Sequence, residues 1–253
     1  MQALLGSAKA PANQPVFLAA NDAKEAKQLL APFIWTRDIN FGNEDGANRL
    51  LVIVYGSEGA FTVVHSSPKF NGVSGVLALS KSVGFTARAA TLSISYWREA
   101  DLPSSSGLYE FQMSHSGTSQ GHMVRAFLFK NVNQSISIGS TATKTVTKSA
   151  GVPTFQMSIT SSSIQDKAVV LAVQSAITGA VTYVAGDHKD NGSNMNDIVE
   201  QQARPQASFG GGGFASAHDV VPNSSEAYVW DVKYGAATSI QATVAMMVPI
   251  NAL

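Results

Sequence analysis

The most regular feature of this chain is a series of short apolar runs separated by Gly, Ser, Asn and Pro. The runs are rich in Val, Ile, Leu and aromatic residues, and several alternate between apolar and polar positions. β-Branched runs of this kind, bounded by turn residues, indicate strands, and no helical periodicity persists beyond about three turns. The pattern therefore predicts an all-β fold, a large antiparallel β-sandwich. The predicted strands cover residues 50–55, 61–65, 75–79, 90–97, 107–114, 123–129, 135–138, 154–159, 168–176, 181–185, 227–234 and 240–248.

The N-terminal segment differs from the rest, so we predict an extended arm at residues 1–40 and a single sandwich domain at residues 41–253. Asn21 and Asp22 can cap a short helix over residues 23–30 of the arm. The arm holds too few apolar residues to close a core of its own. We therefore expect it to anchor the protein to a neighbouring subunit, with Phe17, Phe33 and Trp35 as the contact residues.

Residues 186–223 form the longest predicted loop and the second candidate contact region. Its run of four glycines, residues 210–213, cannot hold one conformation without outside contacts. Residues 194–202 could form one or two helical turns. Long loops inside compact domains are usually functional, so we predict contacts from the loop residues His188, Asn191, Gly211 and Phe214.

Composition narrows the range of partners. Charged residues make up only 13% of the 253 residues, with 17 basic and 17 acidic residues, so no electrostatic footprint for nucleic acid or an anionic membrane exists. Ordinary soluble domains carry roughly 25% charged residues. A surface with so few charges must be covered by Ser, Thr, Asn and Gln, which suits a protein that lies packed against others. No apolar stretch is long enough for a secretory signal or a transmembrane helix, so we expect synthesis in the cytoplasm.

Candidate chemistry is sparse. The chain has no cysteine, which removes disulfides and thiolate sites. None of the five histidines has a metal-ligand spacing, and His115 and His122, which flank a Ser/Gly-rich turn, are expected to face solvent at hairpin ends. No nucleophile-elbow motif is present, and no carboxylate pair stands out. Trp97 and Trp230 are interpreted as core residues rather than as platforms for sugar rings.

The acidic segment around Gly192 is a candidate metal site. Asp187, Asp190, Asn191 and Asp197 supply oxygen ligands, in an order that loosely resembles a calcium-binding loop. Lys189, however, stands where such a loop needs an oxygen, and no Glu closes it. A solvated turn is the better interpretation, so we predict no metal and no other cofactor.

Several short motifs give the chain a resemblance to a known family. They are Asn48-Arg49-Leu50-Leu51-Val52, Asn71-Gly72-Val73, Tyr96-Trp97-Arg98-Glu99, Gly107-Leu108-Tyr109, Asn131-Val132-Asn133-Gln134 and Val248-Pro249. In this order they resemble a jelly-roll-like β-sandwich family common in bacteriophages, with relatives among bacterial surface proteins. The resemblance covers residues 45–250 and marks strand starts and turns. It implies a virion structural module without an associated reaction, and it gives no catalytic role to Arg49, Asn71 or Gln134.

Low charge, the arm and the resemblance favour a non-enzymatic bacteriophage virion protein, a decoration or cement protein on the head exterior that contacts the major capsid protein. Decoration proteins commonly form symmetric homo-oligomers, and we favour a trimer. The alternative is a tail fibre or receptor-binding module that holds a host surface glycan in residues 186–223. A third hypothesis is a polysaccharide-degrading enzyme, which would need a paired-carboxylate cleft.

Overall fold

The computed structural model describes residues 15–29, 32–41, 46–59, 62–85, 88–147, 154–161, 167–177, 183–184, 188–190, 193–194, 198–203, 211–221, 228–236 and 240–253. Within these ranges the chain forms nineteen β-strands and one 3-10 turn, Glu99–Asp101. The strands pair into four antiparallel sheets. The predicted all-β sandwich fold is confirmed.

A central sheet of five strands runs through the middle of the molecule. In order across the sheet, the strands are β1 (Val16–Leu29), β9 (Ser119–Lys130), β3 (Leu50–Gly59), β7 (Arg88–Arg98) and β6 (Val76–Phe85). Strand β3 is buried along its whole length because alternate residues face two different cores. Val52 and Val54 face one core, while Leu51 and Ile53 face the other. This double burial explains why β3 reads as a continuous apolar run.

The C-terminal sheet packs on the first of these faces. Its strands, in order, are β10 (Ala142–Thr147), β19 (Ile240–Ile250), β12 (Lys167–Ile177), β17 (Gly211–Val221) and β16 (Ile198–Ala203). Side chains from both sheets interdigitate as in other β-sandwiches. Apolar residues of the predicted strands are fully buried in this core, among them Val52, Val54, Ile94, Phe127, Val170 and Val244. The side chain of Trp230, interpreted above as a core residue, lies outside the described residues.

The N-terminal sheet packs on the opposite face of the central sheet. Its strands, in order, are β2 (Phe33–Ile39), β8 (Gly107–His115), β4 (His65–Phe70) and β5 (Val73–Ser74). The core between these two sheets is largely aromatic, with Phe33, Phe70, Trp97 and Phe111 almost fully buried. Aromatic side chains bury more apolar area than aliphatic ones, so a four-strand sheet can close this core.

A fourth sheet lies next to the C-terminal sheet. It is built from β11 (Thr154–Ser161), β18 (Tyr228–Ala236), β14 (His188–Asp190) and β15 (Ser193–Asn194), and β13 (Tyr183–Val184) also pairs with β18. Strand β11 runs beside β10 and β19. The described part of the molecule therefore contains stacked sheets on both sides of the central sheet.

The helix predicted over residues 23–30 is wrong. Strand β1 extends to Leu29 and pairs with β9 from Val16↔Lys130 to Leu29↔Ser119. The Ala, Lys, Glu and Gln residues of this segment favour a helix locally, but the ladder along β9 satisfies the backbone hydrogen-bonding groups of the strand. The described part of the predicted arm thus forms two edge strands of the sandwich, β1 beside β9 and β2 beside β8.

Much of the predicted loop at residues 186–223 is also strand. The helical turns predicted within residues 194–202 are wrong, because β16 occupies residues 198–203. Gly211, Gly212 and Gly213 pair with Ile177 and the two residues before it on β12. That ladder supplies the outside contacts that a glycine run needs to hold one conformation. Residues 135–138, predicted as a strand, contribute only an isolated bridge at Ile138.

Candidate functional site

A cluster of three buried histidines lies between the central sheet and the N-terminal sheet. His65 of β4 and His115 of β8 are Cα partners across the ladder of the N-terminal sheet, while His122 belongs to β9 of the central sheet. Their exposed fractions are 1%, 6% and 0%. We refer to these three residues as the histidine cluster. The prediction that His115 and His122 face solvent is wrong.

Strand alternation explains why the three side chains meet. On β9, Val124 and Leu128 face the N-terminal sheet, and His122 continues the same row. On β8, Phe111 faces the central sheet, and His115 continues its row. The alternation that puts His115 on the same face as Phe111, and His122 on the same face as Val124, was the sequence signal for burial. The Ser/Gly-rich turn between the two strands instead suggested exposure to solvent.

Hydroxyl groups of the central sheet hold the cluster in place. Ser57 Oγ lies 2.7 Å from His65 Nε2, and Ser93 Oγ lies 2.9 Å from His65 Nδ1. The Tyr55 hydroxyl lies 2.7 Å from His122 Nδ1, and the Tyr55 ring packs against the His65 ring with centroids 4.5 Å apart. His65 therefore bridges β4 to both β3 and β7, across the interface between the two sheets.

The hydrogen bonds assign the protonation of two imidazoles. The Ser93 hydroxyl donates to the Tyr55 carbonyl at 3.3 Å, so it accepts from His65 Nδ1, and His65 Nε2 accepts from Ser57. His115 Nδ1 donates to the Gly117 carbonyl at 3.0 Å, which leaves its Nε2 as an acceptor. In its neutral form each ring thus carries its proton on Nδ1.

Burial opposes any charge on these rings. Desolvation lowers the pKa of His65 well below its ordinary value, and the neighbouring His115 and His122 lower it further. Desolvation also lowers the pKa of His115, although the hydrogen bond to Gly117 partly offsets that effect. Burial therefore favours the neutral forms of His65 and His115.

The order Ser57–His65–Ser93 matches the nucleophile, base and orienting group of a hydrolase triad. Ser57 is fully buried, however, and the third member is a hydroxyl that brings no negative charge to stabilise an imidazolium. Among the described residues no group of three His, Asp or Glu is arranged to hold a metal ion. The geometry is that of a polar joint between two sheets.

A second buried polar group lies on the other face of β3. Glu58 is fully buried, and its Oε1 contacts Arg88 Nη1 at 3.2 Å while its Oε2 has no hydrogen-bond partner. Desolvation raises the pKa of Glu58 to about 8, and the attraction of Arg88 opposes this only in part. One long contact cannot compensate for burial of a whole carboxylate, so the neutral form of Glu58 is favoured at neutral pH.

Three of the motif residues meet at the opposite end of β3. The buried Arg49 guanidinium contacts the Glu99 carboxylate through Nη2 at 2.6 Å and Nε at 3.0 Å, and the Arg49 N–H donates to the same carboxylate at 2.7 Å. The Gln134 side chain accepts from the Glu99 N–H at 3.0 Å and donates to the Arg49 carbonyl at 3.2 Å. Partial burial raises the pKa of Glu99, but the hydrogen bonds from Arg49 and from the Gly46 N–H outweigh it, so the pKa lies below its ordinary value.

Two other motifs shape the β4–β5 hairpin. Asn71 and Gly72 have φ angles of 49° and 79°, the left-handed pair that a tight hairpin turn requires. The Trp97 indole N–H donates to the Val73 carbonyl at 3.0 Å and ties this hairpin to the central sheet. A Cβ at Gly75 would overlap the Trp97 ring, so the close approach requires glycine.

The structure places the predicted anchor residues of the arm against the same chain. Phe33 stacks on Tyr55 at 4.9 Å, and Trp35 is buried in the same aromatic core. Phe17, which is partly buried, stacks on His218 of β17 at 3.6 Å. Because Phe33 and Trp35 offer almost no free surface, we do not retain them as anchors to a neighbouring subunit.

The residues predicted as loop contacts lie in different parts of the fold. Phe214 is fully buried in the core between the central and C-terminal sheets, so it is not available as a surface contact. Gly211 is the first residue of β17, paired with Ile177. His188 begins β14, where its backbone pairs with Val232. Asn191 and the candidate calcium ligands Asp187 and Asp197 lie outside the described residues.

The chain matches no known family model, no curated protein sequence and no solved structure. The resemblance to phage β-sandwiches therefore depends on the motif residues themselves. In the part of the chain that the structure describes, no helix has the length and apolar character needed to cross a membrane.

Proposed function

We propose that this chain is a non-enzymatic structural protein of a bacteriophage virion, a decoration or cement protein on the head exterior. The observation that supports the proposal most directly is that the side chains of the motif residues hold chain segments together. Arg49 and Gln134, with Glu99, join three chain segments, Asn71 shapes a hairpin turn, and Trp97 holds that hairpin on the central sheet. These are the roles expected of residues that mark a shared structural module.

The described polar clusters support a role without catalysis. The Ser57–His65–Ser93 arrangement is closed to a substrate because Ser57 is fully buried. Glu58 is likewise buried, and its contact is Arg88 rather than a second carboxylate across a cleft. Glycosidases need two carboxylates that face the sugar from either side, so this arrangement does not favour the polysaccharide-degrading alternative.

The partners that we propose are the major capsid protein and further copies of this chain, with a trimer as the favoured oligomer. The low charge content of 13% supports contacts between proteins rather than binding to nucleic acid. Light scattering of the purified protein measures the oligomer, and a mass near three times 26.5 kDa is expected.

Copy number in purified particles tests the proposal. Quantitative mass spectrometry should find hundreds of copies of this chain per particle, and antibody labelling in electron micrographs should lie on the head surface. Particles produced without the protein should bind it again when it is added. Absence from purified particles, or enzymatic release of sugars by the purified chain, would overturn the proposal.

A tail fibre or receptor-binding module is the other candidate, and the same experiment separates the two. That hypothesis relied on a long glycan-binding loop at residues 186–223. Gly211 and Phe214 now lie within a strand, and Phe214 belongs to the core. A handful of copies at the tail tip would nevertheless favour receptor binding over decoration.

A further inference from the structure

We propose that the histidine cluster is an acid-sensitive joint that releases the N-terminal sheet from the central sheet at mildly acidic pH. His65 and His115 belong to the N-terminal sheet, while Tyr55, Ser57, Ser93 and His122 belong to the central sheet. The hydrogen bonds of His65 to Ser57 and Ser93 cross the interface. Loss of these bonds would therefore loosen one sheet from another rather than a single loop.

The described groups that face the cluster are neutral. Strand β3 presents Tyr55 and Ser57, and β7 presents Ser93. Strand β9 presents Ser119, whose hydroxyl lies 3.5 Å from His115 Nε2, and β2 presents Phe33, which stacks on His122 at 5.1 Å. None of these can act as a counter-ion for an imidazolium.

The buried ion pair of Glu58 and Arg88 does not face His65 or His115. Strand alternation puts Glu58 on the opposite face of β3 from Ser57, and its contact there is Arg88. On β1, Glu25 is the Cα partner of His122, but its side chain lies outside the described residues. A proton added to His65 or His115 would place a charge in a buried position whose described neighbours are neutral, which is costly.

The direction of the effect follows from linkage. In the closed joint burial keeps the pKa of His65 and His115 below the ordinary value, whereas in an opened joint both rings meet water and regain it. The opened state therefore takes up protons first as the pH falls, and stability present above about pH 6.5 is lost below it. For each histidine that stays neutral in the closed joint, a change from about pH 7.5 to about pH 5 should raise the equilibrium constant for opening of the joint roughly 30-fold.

Hydrogen exchange of the full chain, corrected for the intrinsic pH dependence of exchange, measures this opening strand by strand. From about pH 7.5 to about pH 5, peptides from β4 and β8 should lose protection by roughly 30-fold for one participating histidine and up to ~1,000-fold for two. Peptides from β12 and β19, in the C-terminal sheet, should keep their protection. Equal loss in both sheets would show global unfolding and would overturn the proposal.

Two variants test whether His65 and His115 cause the pH-dependent opening of β4 and β8. The double variant H65Q/H115Q should show roughly 1,000-fold less pH-induced opening of β4 and β8 than the wild type if both rings participate. The matched control is H218Q, which removes a histidine stacked on Phe17 in a different interface and should leave the pH dependence of β4 and β8 unchanged. A pH dependence that persists in H65Q/H115Q would refute the assignment.

A measurement on the wild type keeps the proposal testable if the double variant does not fold. Proton titration of the histidine rings by NMR should show that His65 and His115 gain charge only as protection of β4 and β8 is lost. Titration of both His65 and His115 above about pH 6 while β4 and β8 remain protected would overturn it.

Discussion

Replacing Glu99 with Gln should remove the charge that the buried Arg49 guanidinium needs while keeping the size of the side chain. Glu99 accepts from Arg49 Nη2, Nε and the backbone N–H, and it also accepts from the Gly46 N–H at 3.2 Å. Loss of one partner of a fully buried pair costs roughly 3–5 kcal/mol, because the other charge remains buried. The Glu99 side chain keeps 20% of its exposure, so water screens part of the loss and we expect ~2–4 kcal/mol.

Urea denaturation at neutral pH, followed by circular dichroism, measures this loss as a lower midpoint. The matched control is E110Q, which makes the same change at an exposed position of β8 and should leave the midpoint unchanged. The double variant R49M/E99Q should recover much of the stability because no buried charge remains. An E99Q midpoint equal to that of E110Q would refute the reasoning.

Three further predictions concern other parts of the fold. A Cβ at Gly56 would overlap the amide oxygen of Gln174, so G56A should cost ~1–3 kcal/mol in urea denaturation, and G56A/Q174A should recover part of this. Glu58 keeps its proton in the folded state, with a pKa of about 8 against 4.5 when unfolded, so its contribution to the free energy of unfolding is complete below pH 4.5 and declines as pH rises towards 8. E58Q should flatten that decline in urea midpoints measured across this pH range. An unchanged pH dependence would contradict the burial of the carboxyl. Deletion of residues 1–40 removes β1 and β2 and exposes the edges of β9 and β8. Because exposed strand edges pair with other chains, the truncated chain should aggregate on expression. A folded monomer in light scattering would show that these strands are dispensable.

The strands with long apolar runs could be predicted from the sequence, because their pattern reports burial directly. Residues 50–55 and 240–248 read as strands and lie within β3 and β19. Strand β1 could not be predicted, because its Ala, Lys, Glu and Gln residues favour a helix and only the distant partner β9 overrides that preference. The strand at Gly211 and Gly212 could not be predicted for a similar reason, because these residues form a strand only by pairing with the distant β12.

The candidate site could not be predicted, because its members lie far apart in the chain. His65 and His115 come together only when β4 pairs with β8, and Ser93 reaches them through the packing of a second sheet. No spacing rule for metal or catalytic motifs covers such an arrangement. By contrast, the resemblance singled out Arg49 and Gln134, and the structure shows what these side chains hold together.

The pairing of β1 with β9 has a consequence for synthesis on the ribosome. About a hundred residues separate the end of β1 from the end of β9, and β9 is the only partner of β1 within the described residues. At ~5–20 residues per second, the ribosome needs roughly 5–20 s to complete β9 after β1 has been made. During that interval β1 has no edge to join, and its helix-favouring composition disfavours pairing with the same segment of a neighbouring nascent chain. We therefore expect the side chains that hinder recognition of this strand in the sequence to protect it until its partner emerges.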